Sequence, residues 1–217
     1  VVKFQGTTST PPYEIVQEFV TDKNRDYVIS ISEQDIVIVK EVESDEDNEE
    51  IEKFAHGMLT TVSAEHSAKI LIGISSIVTN LKDLARAYKE ARIALEVGKV
   101  FDIEKPIMSY ENLGIGRLIY QLPTTLCELF LTEVFKKGSI DDLDQEIIFT
   151  IQKFFENNLN VSETSRKLFV HRNTLVYRLE KIKKITGLDL REFDHAIVFK
   201  VALMVKKYLE SKEEGEI

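Results

Sequence analysis

The stretch from Leu159 to Ile182, LNVSETSRKLFVHRNTLVYRLEKI, limits what this chain can fold into more than any other part of it. Its apolar residues fall at helical spacing in two short runs, and Val170-His171 leaves room for only a tight turn between them. Two amphipathic helices joined so closely make a helix-turn-helix. Ser162 supplies a hydroxyl that can cap the first helix. Thr164, Ser165 and Leu168 are small or apolar where that helix must pack on its neighbour. The second helix, Arg172 to Lys184, turns Leu175, Leu179 and Ile182 inward.

That leaves Arg172, Asn173, Tyr177, Arg178 and Lys181 outward or near the N-terminal end of the second helix. A helix that reads the major groove needs this arrangement, because Arg pairs with guanine, Asn with adenine, and marginal lysines take phosphates. The candidate DNA-contacting residues are His171, Arg172, Asn173, Thr174, Tyr177, Arg178 and Lys181. His171 is either a structural cap or a phosphate contact. Tyr177 either packs at the helix edge or touches DNA. Lys183 and Lys184 read first as solvated surface.

A formal net charge of -9 would argue against a nucleic-acid partner if it were spread evenly. It is concentrated instead. Residues 1–139 carry a net of -8, whereas residues 160–187 hold seven basic residues against two acidic ones, a local charge of +5 on the helix-turn-helix itself. The composition, 43% hydrophobic and 30% charged, is that of a soluble globular protein with room for two modest domains. No apolar run approaches the roughly 18 residues of a membrane span, and no leader opens the chain, so a cytoplasmic protein without a membrane partner is expected. The single Cys127 excludes an internal disulfide and reads as a small buried hydrophobe; no metal or cofactor is expected. The chain opens at Val1, which suggests a fragment of a longer protein with a sensing domain upstream.

The first half alternates between strand and helix patterns. Residues 12–19 read as the end of a helix begun before Val1. The β-branched runs 27–31 and 35–40 predict a hairpin, and residues 106–110 a final strand. The eight acids between Glu41 and Glu52 read as a solvated loop leading into a helix, since the liganding positions and mid-loop glycine of a calcium loop are absent. Ile51 to Val62 is helical, Lys69 to Ser75 a buried strand, and Asn80 caps a long helix with Leu81, Leu84, Ala85, Tyr88, Ala91, Ala94 and Leu95 inward. From Gly114 the strand signal ends; helices are expected over 118–122 and 124–136, with another starting at Ser139. In the last helix Ile197, Val198, Val201, Met204 and Val205 form the apolar face, part of it open to dimerisation.

The run Leu168-Phe169-Val170-His171-Arg172-Asn173-Thr174-Leu175-Val176-Tyr177-Arg178-Leu179, followed by Lys181-Ile182 and Thr186-Gly187-Leu188-Asp189-Leu190, closely resembles the C-terminal helix-turn-helix of PucR/CdaR-type bacterial transcription regulators. Ile72-Gly73-Ile74-Ser75 and the helix bearing Ala87-Tyr88 and Glu90-Ala91 are similar to the GGDEF-like domain that often precedes it. The resemblance implies an α+β fold: a GGDEF-like α/β sandwich over 1–112, a helical connector over 113–140, and an all-α DNA-binding domain over 141–217. It also implies a regulator, not an enzyme, that binds double-stranded DNA and answers to a small-molecule effector held by a domain upstream. A homodimer is expected, since one recognition helix covers too few base pairs for useful specificity. Where an active cyclase of that fold has Gly-Gly-Asp/Glu-Glu-Phe, this chain has Ser32-Glu33-Gln34-Asp35-Ile36, so the domain is read as a degenerate scaffold without a two-metal site. Two rival readings remain: a nucleotide-binding or signalling module that depends on Glu33 and Asp35, and a helical adaptor whose basic face meets an acidic protein.

Overall fold

The structure, a computed structural model, describes residues 1–20, 22, 24–43, 48–101, 105–135 and 138–213. It divides into two units, Val1–Tyr120 and Gln121–Ile217. The first is built on a five-stranded mixed sheet of order β2-β3-β1-β4-β5, where β1 is Val2–Gln5, β2 Tyr27–Ser30, β3 Asp35–Val39, β4 Lys69–Ile74 and β5 Ile107–Ser109. All neighbouring pairs are antiparallel except β4 with β5. The central β1 sets Val2 opposite both Ile36 and Ile72.

Alternation sends the two faces of this sheet to different helices. Val2, Phe4, Ile36, Ile70 and Ile72 pack with Ile15 and Val16 of α1 (Pro12–Gln17) and with Ala55, Met58 and Val62 of α2 (Asn48–His66). Val1 and Leu71 pack with Ala94, Leu95 and Val97 of α3 (Leu84–Val100), a cluster that also takes in Met108 and Leu113. A short α4 (Ile115–Tyr120) completes the unit. The close fit of α3 on β4 depends on Gly73, where an added Cβ would lie 2.2 Å from the Ala91 carbonyl oxygen.

Several sequence expectations are corrected here. The segment after Pro11 is not the end of an earlier helix: α1 begins at Pro12, whose fixed φ suits a first helical turn, and a strand precedes it. Asn80 precedes a 3-10 turn, Leu81–Asp83, without a side-chain cap. Leu81 stands in that turn and is 84% exposed, and Ala85, about 180° around α3 from the buried Ala94, faces solvent, while Ala87, Glu90 and Val97 are buried. Glu90 is buried because the Ser76 amide (3.2 Å) and hydroxyl both donate to it, with Arg86 at 2.9 Å. Residues 44–47 of the acidic run lie outside the described residues.

The second unit is helical: α5 (Thr124–Val134), α6 (Gln145–Glu156), α7 (Val161–Lys167), α8 (Arg172–Thr186) and α9 (Phe193–Glu213). Ser139 starts only a 3-10 turn, Ile140–Asp142, and α6 begins afresh behind Asp144, whose Oδ1 accepts from the Ile147 amide at 2.8 Å. Ile147, Ile151 and Phe154 of α6 meet Leu175, Leu179 and Ile182 of α8 and Phe199 and Ala202 of α9 in one core. The buried stripe of α9 is Ala196, Phe199, Ala202, Val205 and Tyr208; Ile197 is 45% exposed, so the inward face is rotated from the expected one. Among the described residues no helix is long and apolar enough to cross a membrane.

The Gly73 contact gives a clean test. Gly73→Ala pushes Cβ into backbone that no rotamer change can move, and should destabilise the first unit by about 1–3 kcal/mol in a urea melt followed by circular dichroism. Gly57→Ala, on the open face of α2 with nothing within 4 Å, should stabilise it by about 0.5–1 kcal/mol.

Candidate nucleic-acid interface

Each helix of the motif is started and stopped by an identifiable contact. After α6 the chain turns through two left-handed residues, Asn158 (φ 51°) and Leu159 (φ 60°), and reaches Asn160. Asn160, not Ser162, caps α7: its Oδ1 accepts from the Glu163 amide at 3.0 Å. Ser162 lies inside the helix, where its carbonyl accepts from the Ser165 hydroxyl. Thr164 and Ser165 are buried at the crossing, as their size suggests. The helix ends as Val170 donates back to the Ser165 carbonyl at 3.0 Å across Phe169, which has φ 55°. His171 then caps α8, its Nδ1 accepting from the Asn173 amide at 3.2 Å, which leaves Nε2 to carry the proton.

Leu175, Leu179 and Ile182 are each fully buried, and they fix the rotation of α8. Arg172, Asn173 and Thr174 are exposed on its first turn, with Tyr177 69% exposed one turn on. The other two candidate residues are placed differently. Arg178 lies with its side chain 14% exposed between α8 and α6; one guanidinium nitrogen donates to the buried Thr150 hydroxyl at 3.0 Å and another pairs with Glu146. Lys181 pairs at 2.7 Å with the second oxygen of Asp144, the residue that caps α6, and that hydrogen bond holds the Asp144 carboxyl below its ordinary range. The structure thus brings together His171, Arg172, Asn173, Thr174 and Tyr177 on an open face, and sets Arg178 and Lys181 as ties to α6.

The Thr186-Gly187-Leu188-Asp189-Leu190 tail closes α8. The Thr186 hydroxyl donates to the Ile182 carbonyl at 2.8 Å, and Gly187 takes the left-handed conformation (φ 82°) that ends the helix. Leu190 is buried in the core. Asp189, 5% exposed, accepts from the Arg191 amide and guanidinium and from Lys183 at 3.0 Å, while Arg191 also reaches Glu180. The Arg191 guanidinium, aided by Lys183, holds the Asp189 carboxyl well below the ordinary carboxylate range. Sequence reasoning noted this tail by resemblance but missed that its carboxylate is an interior anchor.

In the first unit a cleft of about 840 Å³ runs between the outer face of β2–β3 and the start of α3, lined by Tyr27, Ile29, Ile31, Val37 and Tyr88 among others. Neither Glu33 nor Asp35 lines it. In the hairpin turn the Ser32 hydroxyl accepts from the Asp35 amide at 3.0 Å and donates to the Asp35 carboxylate at 3.0 Å, so the turn satisfies its own polar groups.

Residues 148–205 match the PucR C-terminal helix-turn-helix domain, and residues 1–97 match the GGDEF-like domain. The purine catabolism regulatory protein of Bacillus subtilis (strain 168) is 29% identical over 72% of this chain and 30% of its own length. The carbohydrate diacid regulator of Escherichia coli (strain K12) is 28% identical over 73% of this chain and 41% of its own. The DNA-binding transcriptional activator AdeR of Bacillus subtilis is 23% identical over 88% and 47%. The chain therefore spans less than half the length of these curated relatives.

Two outcomes are expected from the contacts around α8. Arg178→Ala should destabilise the second unit by about 1–2 kcal/mol, since it strips a partner from a buried hydroxyl and a carboxylate, while Arg172→Ala stays within about 0.5 kcal/mol; chemical denaturation measures both. Because the folded Asp189 is depressed, its stabilisation is present above the unfolded carboxylate value of about 4 and is lost as pH falls through the lower folded value. Asp189→Asn should therefore unfold more easily at neutral pH and show a shallower loss of thermal midpoint between pH 4 and pH 2.

Proposed function

We propose that this chain is a sequence-specific, double-stranded-DNA-binding transcription regulator, a reading supported by the match of residues 148–205 to the PucR C-terminal helix-turn-helix domain and of residues 1–97 to the GGDEF-like domain. The observation that carries the reading is the open first turn of α8, where Arg172, Asn173 and Thr174 stand exposed on a rigidly seated helix. Arg172 suits the acceptor edge of guanine and Asn173 the donor–acceptor edge of adenine, with Tyr177 at the margin. His171, fixed as a cap, directs its Nε2 proton outward to a phosphate. Arg178 and Lys181 act one step removed, by holding α8 against α6.

Only part of the local positive charge remains for DNA. Arg166 pairs with Glu163, Arg178 with Glu146, Lys181 with Asp144 and Lys183 with Asp189, which leaves Lys167, Arg172 and Lys184 without an ion pair among the described residues. Binding as a homodimer supplies two half-sites one helical turn apart, roughly 34 Å. The response to a metabolite is assigned to sequence beyond these residues, in keeping with relatives of which the match covers less than half, two of them named for purine catabolism and carbohydrate diacids. The first unit is a scaffold and not a cyclase: its hairpin turn lacks both glycines and ties its carboxylate to Ser32.

Genomic fragments captured by the protein supply the test sequence, and fluorescence anisotropy supplies the affinity. With Lys167 and Lys184 on phosphates, log K should fall against log salt with a slope of about -2 per chain, roughly doubled in a dimer. Arg172→Ala with Asn173→Ala should reduce the preference for the captured sequence over a scrambled duplex at least tenfold. A double variant that keeps its sequence preference would sink the assignment, and a flat salt response would remove the DNA-binding reading altogether.

A further inference from the structure

Phe169 is the most conspicuous residue that the reading above leaves unused. It is 96% exposed, so its ring gains nothing from the interior, and its φ of 55° puts it in the left-handed conformation that any Cβ disfavours. At this position, where the Val170 amide closes back on Ser165, glycine serves the backbone best. Two separate features of the fold thus oppose phenylalanine here. Its surroundings in the chain are basic: Lys167 lies two residues before it and Arg172 three after, both exposed and without an ion pair among the described residues. No carboxylate occurs between Thr164 and Leu179.

We propose that Phe169 is a further DNA-contact residue, its ring packing on the apolar surface of the duplex, deoxyribose carbons or a thymine methyl, while Lys167 holds a phosphate on one side and Arg172 reads its base on the other. The inference rests on the DNA-binding reading. A second copy of this chain is the rival occupant, and it is disfavoured because two such turns would bring like charges together, whereas a polyanion complements them.

The chain contains no tryptophan, which makes the test direct. Phe169→Trp places a single reporter in the turn, and its emission should be quenched or shifted by the captured duplex in step with the anisotropy curve. Phe169→Gly should melt no lower than the parent, bind that duplex roughly tenfold more weakly, and keep the same salt slope, since an apolar contact displaces no counterion. With uracil in place of thymine, a loss of affinity in the parent but not in Phe169→Gly assigns the contact to the methyl, and equal affinity assigns it to the sugar. Emission that ignores saturating DNA, emission that changes with protein concentration alone, a lowered melting point, or unchanged affinity in Phe169→Gly would each overturn the proposal. Absence of any duplex binding by the parent is a different result, and removes the underlying reading instead.

Discussion

The burial of Leu175, Leu179 and Ile182 is the constraint on which the rest of the second unit depends. All three are out of water against α6 and α9, which fixes the rotation of α8 about its own axis. Once that rotation is set, the identity of every outward residue follows from about 100° per residue. Asn173 and Tyr177 lie roughly opposite Leu175, at about 160° and 200°, whereas Arg178 lies within about 60° of it. A long polar side chain so close to the buried stripe must find partners at its rim, and Thr150 and Glu146 are those partners.

The same geometry decides how much positive charge is available. The +5 of the motif is a property of the sequence, and most of it is compensated once the chain folds. Lys183 is committed to a nearly buried carboxylate, and Arg178 to a side-chain position that solvent scarcely reaches. Lys181 and Arg166 are in more exposed pairs, which are weak as ties but still offset their charge. Few basic groups then remain uncompensated, and the helix seat that presents them matters as much as the groups themselves.

Much of this was legible in the sequence where pattern and packing coincide. The β-branched runs of the hairpin, the inward triad of α8 and the small residues of α7 all sit where their spacing and size placed them. Legibility failed where a choice between equivalent local signals is made by distant contacts. Asn160 and Ser162 are both good caps, and only the two left-handed residues that end the α6 turn decide for Asn160. In α9 the apolar residues are dense enough to draw several stripes, and the core selects the one with Phe199, set edge-on to Phe135 at 5.8 Å. Four residues of alternation in β1 are too few to announce a central strand. Arg178 was readable in part, from its angle to Leu175, but its carboxylate partner stands 32 residues away.

The first unit shows the converse: a fold whose core does not depend on the chemistry of its hairpin turn. In the sheet order β2-β3-β1-β4-β5 the hairpin forms one edge, and its turn meets β1 where the Phe4 amide donates to the Gln34 carbonyl at 2.9 Å, a backbone contact that asks for no particular side chain. Ser32 and Glu33 there lack the backbone freedom of glycine that lets a phosphate approach closely, and the Ser32 hydroxyl is engaged by Asp35. What holds the unit together lies elsewhere, in Phe4, Ile72 and Met58 on one face and in the glycine contact of α3 with β4 on the other. Those interactions demand volume and close approach but no particular chemistry at the hairpin tip.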